Sequence, residues 1–403
     1  MGEMIVESSS HYRIHFVIIF LLVSFNLRMS FSAADPLLVF LMRDLGLSVG
    51  SSGLFGLLPI MSLGVAAPLG AVLVRYIRPR ILIIDALLWA IGGVIWRSYG
   101  GIAGLFGGTV VIGLGLGVAG SVILGIGKQV LPDKQTELMA AYTACVSLGT
   151  AVGAGASAPM ALLLGGWQHG LLFWGLPLLV ATLLWGELVL RARKTHIQQS
   201  TLKTPMLPLL KQTKARMVTL FYMFRVAGAW LLIVWLATLM RERGMPLVEA
   251  GLVLSVSTAF QIPGALLSGI IGRWMGGTDK LMISAISATI VACWGLLTAP
   301  LHLWLLFAIL LGCGLGIIFS VGMALIVESE ADEAGTVALS GLAQGVGFTC
   351  GGLLAWLCGQ SMQLPHHNVW VGGVYTLLAI GGLICGLHAL RNANSTATAN
   401  KNA

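Results

Sequence analysis

Apolar runs long enough to cross a bilayer follow one another along almost the whole of this chain. They fall at about 14–41, 53–74, 81–98, 102–126, 138–164, 170–190, 217–240, 249–272, 281–300, 302–327, 336–360 and 369–390. Each helix needs about 20 apolar residues to span ~30 Å of hydrocarbon, so twelve of them take up about 240 residues. The rest of the 403-residue chain suffices for connections and tails but not for a sizeable soluble domain. Charged residues make up 9% of the chain and hydrophobic ones 57%, where soluble domains carry roughly a quarter charged. A water-soluble globule is excluded, and with it most enzymes, nucleic-acid readers and secreted modules. The expectation is an all-α polytopic membrane protein with 12 transmembrane helices.

The first run resembles a signal peptide only in part. Ser32-Ala33-Ala34 is small enough for a cleavage site, but Glu3 and Glu7 precede the run and Arg28 interrupts it. It reads as a retained helix. All six cysteines (Cys145, Cys293, Cys313, Cys350, Cys358, Cys385) fall inside apolar runs, which points to structural thiols rather than disulfides or a metal pair. The sequence has no Walker motif, nucleotide loop or metal cluster, so no enzyme activity, cofactor or metal is expected.

Basic residues set the orientation. With the amino terminus inside, seventeen Lys and Arg fall in inside segments and four (Arg43, Arg97, Arg241, Arg243) in outside loops. Both termini are therefore expected in the cytoplasm, at the inner membrane. The net charge of +8 follows this topology and implies no nucleic-acid partner.

The chain also repeats. Shifted by 198 residues, Leu38-Val39-Phe40-Leu41-Met42-Arg43-Asp44 falls on Leu236-Ala237-Thr238-Leu239-Met240-Arg241-Glu242. Gly46 meets Gly244, Gly53 meets Gly251 and Arg75 meets Arg273. The division expected is a six-helix bundle at 1–190, a basic cytoplasmic linker at 191–216 and a second six-helix bundle at 217–403. Two six-helix repeats of parallel orientation, with sites near the midplane at their interface, are a transporter architecture.

Several segments carry a resemblance to a known family. They are Phe25-Asn26-Leu27-Arg28, Ile95-Trp96-Arg97, Leu105-Phe106-Gly107-Gly108-Thr109-Val110-Val111-Ile112-Gly113, Gly166-Trp167-Gln168 and Ser340-Gly341-Leu342-Ala343-Gln344-Gly345-Val346-Gly347-Phe348. The chain resembles the major facilitator superfamily and, more narrowly, its cyanate and 2-nitroimidazole porters. The resemblance implies that fold and alternating-access transport. The chain departs from the pattern where solute would bind. Gly120 stands where the family has a polar side chain, Leu124 where it often has proline, and Arg225 at an amide position.

Arg28 lies in the first helix and Arg225 in the seventh, within one residue of repeat-related positions. A charge at a helix centre costs about 2.5–3.5 kcal/mol on insertion scales, so both are expected to face a shared interior. Guanidinium holds carboxylate or phosphate through two parallel hydrogen bonds. The pair suits a small anion and is similar to the arginine pair of organophosphate antiporters. Each arginine has a plainer role open to it, as partner of a carbonyl or acid on a neighbouring helix. Gln344, Gln261 and Tyr142 are polar groups in apolar surroundings and join the substrate-binding candidates.

Asp35 is seven residues past Arg28, which on a continuous helix gives the same face two turns away. It reads either as a proton carrier or as a solvated residue past the end that Pro36 sets. Glycines four apart, such as Gly113/Gly117, Gly149/Gly153, Gly312/Gly316 and Gly341/Gly345, let helices approach closely.

The function expected is secondary transport of a small anion or weakly acidic organic solute, with protons as candidate coupling ions and a monomer in the lipid bilayer. Export of neutral or aromatic compounds, with structural arginines, is the alternative. A non-transporting membrane receptor or assembly factor is the second.

Overall fold

The computed structural model describes residues 10–47, 49–194, 205–361 and 367–401, and no strand occurs among them. Helix α1 (Ser10–Ser32) leads into a 3-10 turn at Asp35–Leu37 and then α2 (Leu38–Leu45). There follow α3 (Val49–Leu73), α4 (Pro79–Tyr99), α5 (Gly101–Val130), α6 (Gln135–Leu163), α7 (Trp167–Phe173) and α8 (Gly175–Lys194). A 3-10 turn at Leu207–Lys211 precedes α9 (Thr213–Glu242), α10 (Leu247–Met275), α11 (Thr278–Thr298), α12 (Trp304–Ser329), α13 (Glu333–Ser361) and α14 (His367–Lys401). Among the described residues eleven helices are long and apolar enough to cross a membrane, and α3 carries a shorter apolar stretch at Leu57–Leu73. Each expected run has its helix.

Two runs are broken where the sequence suggested continuity. The run at 14–41 stops at Ser32, because Pro36 has no N–H to continue the ladder and sits in the first turn of the 3-10 segment instead. The run at 170–190 contains the seam between α7 and α8 at Trp174. The linker at 191–216 is not wholly irregular. Its described part contains the turn at Leu207–Lys211, with Leu209 buried, while 195–204 lie outside the described residues.

The chain divides into two compact units. The first holds Met1–Gln135, Cys145–Met206 and Glu330–Gly345; the second holds Thr136–Ala144, Leu207–Ser329 and Val346–Ala403. The change at Met206 falls within the expected linker. The assignment of part of α6 to the second unit and part of α13 to the first is not foreseen by a division at 191–216.

Small residues bring helices together inside each unit. A Cβ on Gly113 or Gly117 of α5 would lie 2.2 Å from Ser62 or 2.5 Å from Ala66 of α3. Gly149 and Gly153 of α6 sit on the Phe25 and Met29 carbonyls of α1, at 2.0 and 2.4 Å from a hypothetical Cβ. In the second unit Gly312 and Gly316 of α12 do the same to the Ser257 and Gln261 carbonyls of α10, at 2.3 and 2.2 Å. Four-residue spacing places both glycines of a pair on one face, so backbones meet with no side chain between them.

Polar groups at helix ends find specific partners. Asp332 caps α13, its Oδ1 accepting the Gly335 N–H at 2.8 Å. Arg243, just past α9, donates to the Leu296 carbonyl and, at 2.5 Å, to the Ala299 carbonyl at the end of α11. A cation there satisfies carbonyls that the helix itself leaves open. Five cysteines (Cys145, Cys293, Cys313, Cys350, Cys385) are free thiols.

Candidate functional site

In the first unit the candidates gather around α1. Arg28 is half-buried and has neighbours of its own. Leu27, the residue before it, is buried and faces Gly120 of α5. Gln344 of α13 meets the same point: a Cβ on Gly120 would lie 3.6 Å from Leu27 Cδ1 and 3.9 Å from Gln344 Oε1. Gln344 is only 4% exposed and donates through Nε2 to Ser340 Oγ at 2.7 Å. Ser340 is one turn earlier on α13, so the serine fixes which way the amide points. Asn26 is a packing amide, buried and donating to the Leu22 carbonyl at 2.8 Å.

Asp35 needs a correction. It does not continue the α1 face that carries Arg28, because α1 ends at Ser32 and Asp35 opens the 3-10 turn. It is exposed, and no hydrogen bond from a described residue reaches its carboxylate. Its charge is felt by Arg97 and Arg28.

Arg97 is a second correction. The sequence reading counted it in an outside loop, whereas it lies within α4 and is 0% exposed. Its Nη1 donates to the Ser30 carbonyl at 2.9 Å, and no partner among the described residues takes Nε or Nη2. The sequence signal was present: Arg97 ends the family-like Ile95-Trp96-Arg97 inside an apolar run.

In the second unit Arg225 sits near the middle of α9. Its guanidinium carbon lies 4.2 Å from the centre of the Phe319 ring and 4.7 Å from that of Tyr222. Cation–π contacts of this kind contribute about 0.5–2 kcal/mol each, more when desolvated. Tyr222 also hydrogen-bonds Arg225, and Tyr142 acts on it electrostatically, while Nε has no partner among the described residues. Two sequence candidates, Arg225 and Tyr142, are thus brought together. Tyr222 and Phe319 were not foreseen, because an aromatic in an apolar run carries no sequence mark of its ring's orientation. A cavity of about 30 Å³ borders Arg225 and is lined also by Phe221, Phe224, Thr289 and Tyr375, enough room for one water-sized group.

Gln261 is half-buried on α10, and its side chain makes no hydrogen bond to a described residue. Its backbone carbonyl lies under Gly316. A larger recess, about 380 Å³, is lined by Glu137, Arg273 and Glu328 at helix ends. Glu137 lies 3.7 Å from Arg273, and Glu328 accepts from Thr136 Oγ1 at 3.0 Å. Two acids and one base make a poor anion site. The binding candidates are instead the mid-helix groups. Among the described residues no group of His, Cys, Asp or Glu is placed to hold a metal.

A bundle of apolar helices carrying arginines away from its ends has the build of a polytopic membrane transporter. The comparisons place it more narrowly. A family model described as the Major Facilitator Superfamily matches residues 20–357, and the chain belongs to that superfamily. It is 25% identical over 359 residues to an uncharacterized transporter, YycB, of Bacillus subtilis (strain 168), covering 89% of this chain and 88% of that one. It is 25% identical over 369 residues to the cyanate transport protein CynX of Escherichia coli (strain K12), covering 91% and 95%. It is 29% identical over 381 residues to the 2-nitroimidazole transporter of the same strain, covering 91% and 94%. Among solved structures, the proton:xylose symporter XylE with a bound bromo-deoxyglucose matches with a TM-score of 0.74 at 12% identity, covering 95% of this chain and 96% of that one. FucP in its outward conformation matches at 0.73 and 13%, covering 94% and 99%. These last two share the fold.

Proposed function

We propose that this transporter moves a small anion or a weakly acidic organic solute across the inner membrane by alternating access of two six-helix halves, with both termini cytoplasmic. Arg28, Arg225, Gln344, Gln261 and Tyr142 are its substrate contacts, and Asp35 couples transport to protons. The observation that carries the reading is Arg225. Its cation is held between two aromatic faces, and no carboxylate among the described residues neutralises it. An uncompensated guanidinium in a low-dielectric span favours an incoming anion, because little else there offsets its charge. Relatives named for cyanate and 2-nitroimidazole support the size and acidity of the solute.

The test is uptake from a panel of small monoanions and weak acids, cyanate and 2-nitroimidazole among them, with and without a proton gradient. Arg225→Ala and Arg28→Ala should each reduce transport by roughly a hundredfold at unchanged membrane abundance. Lysine should rescue poorly, since an ammonium lacks the two-bond fork. Wild-type rates in an alanine variant would remove that residue from the site. The Tyr222 and Phe319 rings favour the second reading, export of neutral aromatic compounds, which is the outcome if neutral aromatics are carried as well by the alanine variants as by wild type.

A further inference from the structure

Gly120 differs from its neighbours on α5. A Cβ added to Gly113, Gly115, Gly117 or Gly125 would come within 2.2, 2.3, 2.5 or 2.4 Å of another residue, so those glycines are required by packing. At Gly120 the nearest atom is Leu27 Cδ1 at 3.6 Å, ordinary contact distance, although the residue is buried. Its backbone is helical and needs no glycine. Alanine is the better helix former, and here it would fit. The bare position leaves a layer one carbon atom thick, bounded by the Leu27 methyls and by Gln344 Oε1.

Gln344 supplies the second observation. The amide is held through Nε2 by Ser340 Oγ, and no described residue donates to Oε1, which is turned toward Gly120. A buried carbonyl without a donor is unfavourable unless a partner arrives.

We infer that Gly120, Leu27 and Gln344 form a subsite for a flat group bearing an N–H, which lies against the bare α5 backbone and donates to Gln344 Oε1. The inference rests on the acidic-solute reading and extends it: the solute has a planar N–H end as well as an acidic or charge-bearing one. Leu27 immediately precedes Arg28, so neighbouring residues of α1 would read the two ends. The chemical class is an azole or a planar amide-like weak acid.

The test is ligand-induced thermal stabilisation of the purified full-length protein by 4-nitroimidazole and by its N1-methyl derivative. Wild type should bind the N–H form at least about tenfold more tightly, because the methylated form leaves a buried acceptor unpaired. Gln344→Met should lose that preference. Gly120→Ala should keep or raise the melting temperature yet weaken binding of the N–H form by about tenfold or more. Equal binding of the two probes by wild type, binding of neither, or an unchanged affinity in Gly120→Ala overturns the subsite. Arg225→Ala separates this from the anion reading. If it keeps the N–H preference and full affinity while Gln344→Met does not, the anion reading fails and the subsite stands.

Discussion

Arg97 ties α4 to the end of α1 by satisfying one carbonyl. At that end the Ala33 N–H bonds the Met29 carbonyl and the Ala34 N–H turns back to Phe31. Ser30 is left without its usual helical donor, and Arg97 Nη1 supplies one at 2.9 Å. The same guanidinium acts on the charge of Asp35, which starts the next turn. Replacing it with methionine keeps most of the volume and removes both effects. Arg97→Met should cost about 1–3 kcal/mol, the penalty of a buried acceptor left unpaired. Thermal melts of the purified variant check this, with Arg97→Lys, which keeps a donor, recovering part of the loss. A melting temperature unchanged in Arg97→Met would show that the Ser30 bond does not stabilise the helix end.

Along the elements, glycine has two separate roles, and they predict opposite results. Gly316 of α12 faces the Gln261 carbonyl of α10, and a Cβ there would stand 2.2 Å from the oxygen. Backbone cannot yield as a flexible side chain does, so Gly316→Ala should destabilise by about 1–3 kcal/mol through overpacking. Gly251 lies on α10 with nothing within 4 Å of its Cβ position. Gly251→Ala should be neutral or stabilising by up to about 1 kcal/mol from helix propensity alone. Paired melts of the two variants check the contrast, and equal shifts would contradict the packing assigned to the α10–α12 contact.

For the whole molecule the question is how an anion is moved against the membrane potential. Carrying one negative charge inward against 100 mV, inside negative, requires about 2.3 kcal/mol. An importer of a monoanion must carry a compensating positive charge or exchange anion for anion. Asp35, felt by Arg28 and Arg97, is the carboxylate proposed to carry the proton. Protonation removes a negative charge from the side of the arginines, so proton and anion bind cooperatively, and each strengthens the other by the same factor. Asp35→Asn mimics the protonated form. It should keep exchange of labelled for unlabelled solute and lose uphill, proton-driven accumulation in reconstituted vesicles. Accumulation at the wild-type level would exclude Asp35 as the coupling group.

The helical spans and the superfamily were legible in the sequence, because each span must be long and apolar by itself and needs no partner to be recognised. Arg28, Arg225 and Gln344 stood out for the same reason: a polar group in an apolar run is conspicuous wherever it points. What tertiary structure decided were the relations between helices. Pro36 marked an ending, but only the fold showed that α1 stops at Ser32 and takes Asp35 off the Arg28 face. Arg97 at the end of a run looked like a loop residue until a neighbouring helix placed the Ser30 carbonyl beside it. Tyr222 and Phe319 became the faces that hold Arg225, and Gly120 became different from the glycines around it. Composition reports whether a side chain tolerates hydrocarbon. Its partner is set by which helix packs against it, and residues far apart in the chain determine that together.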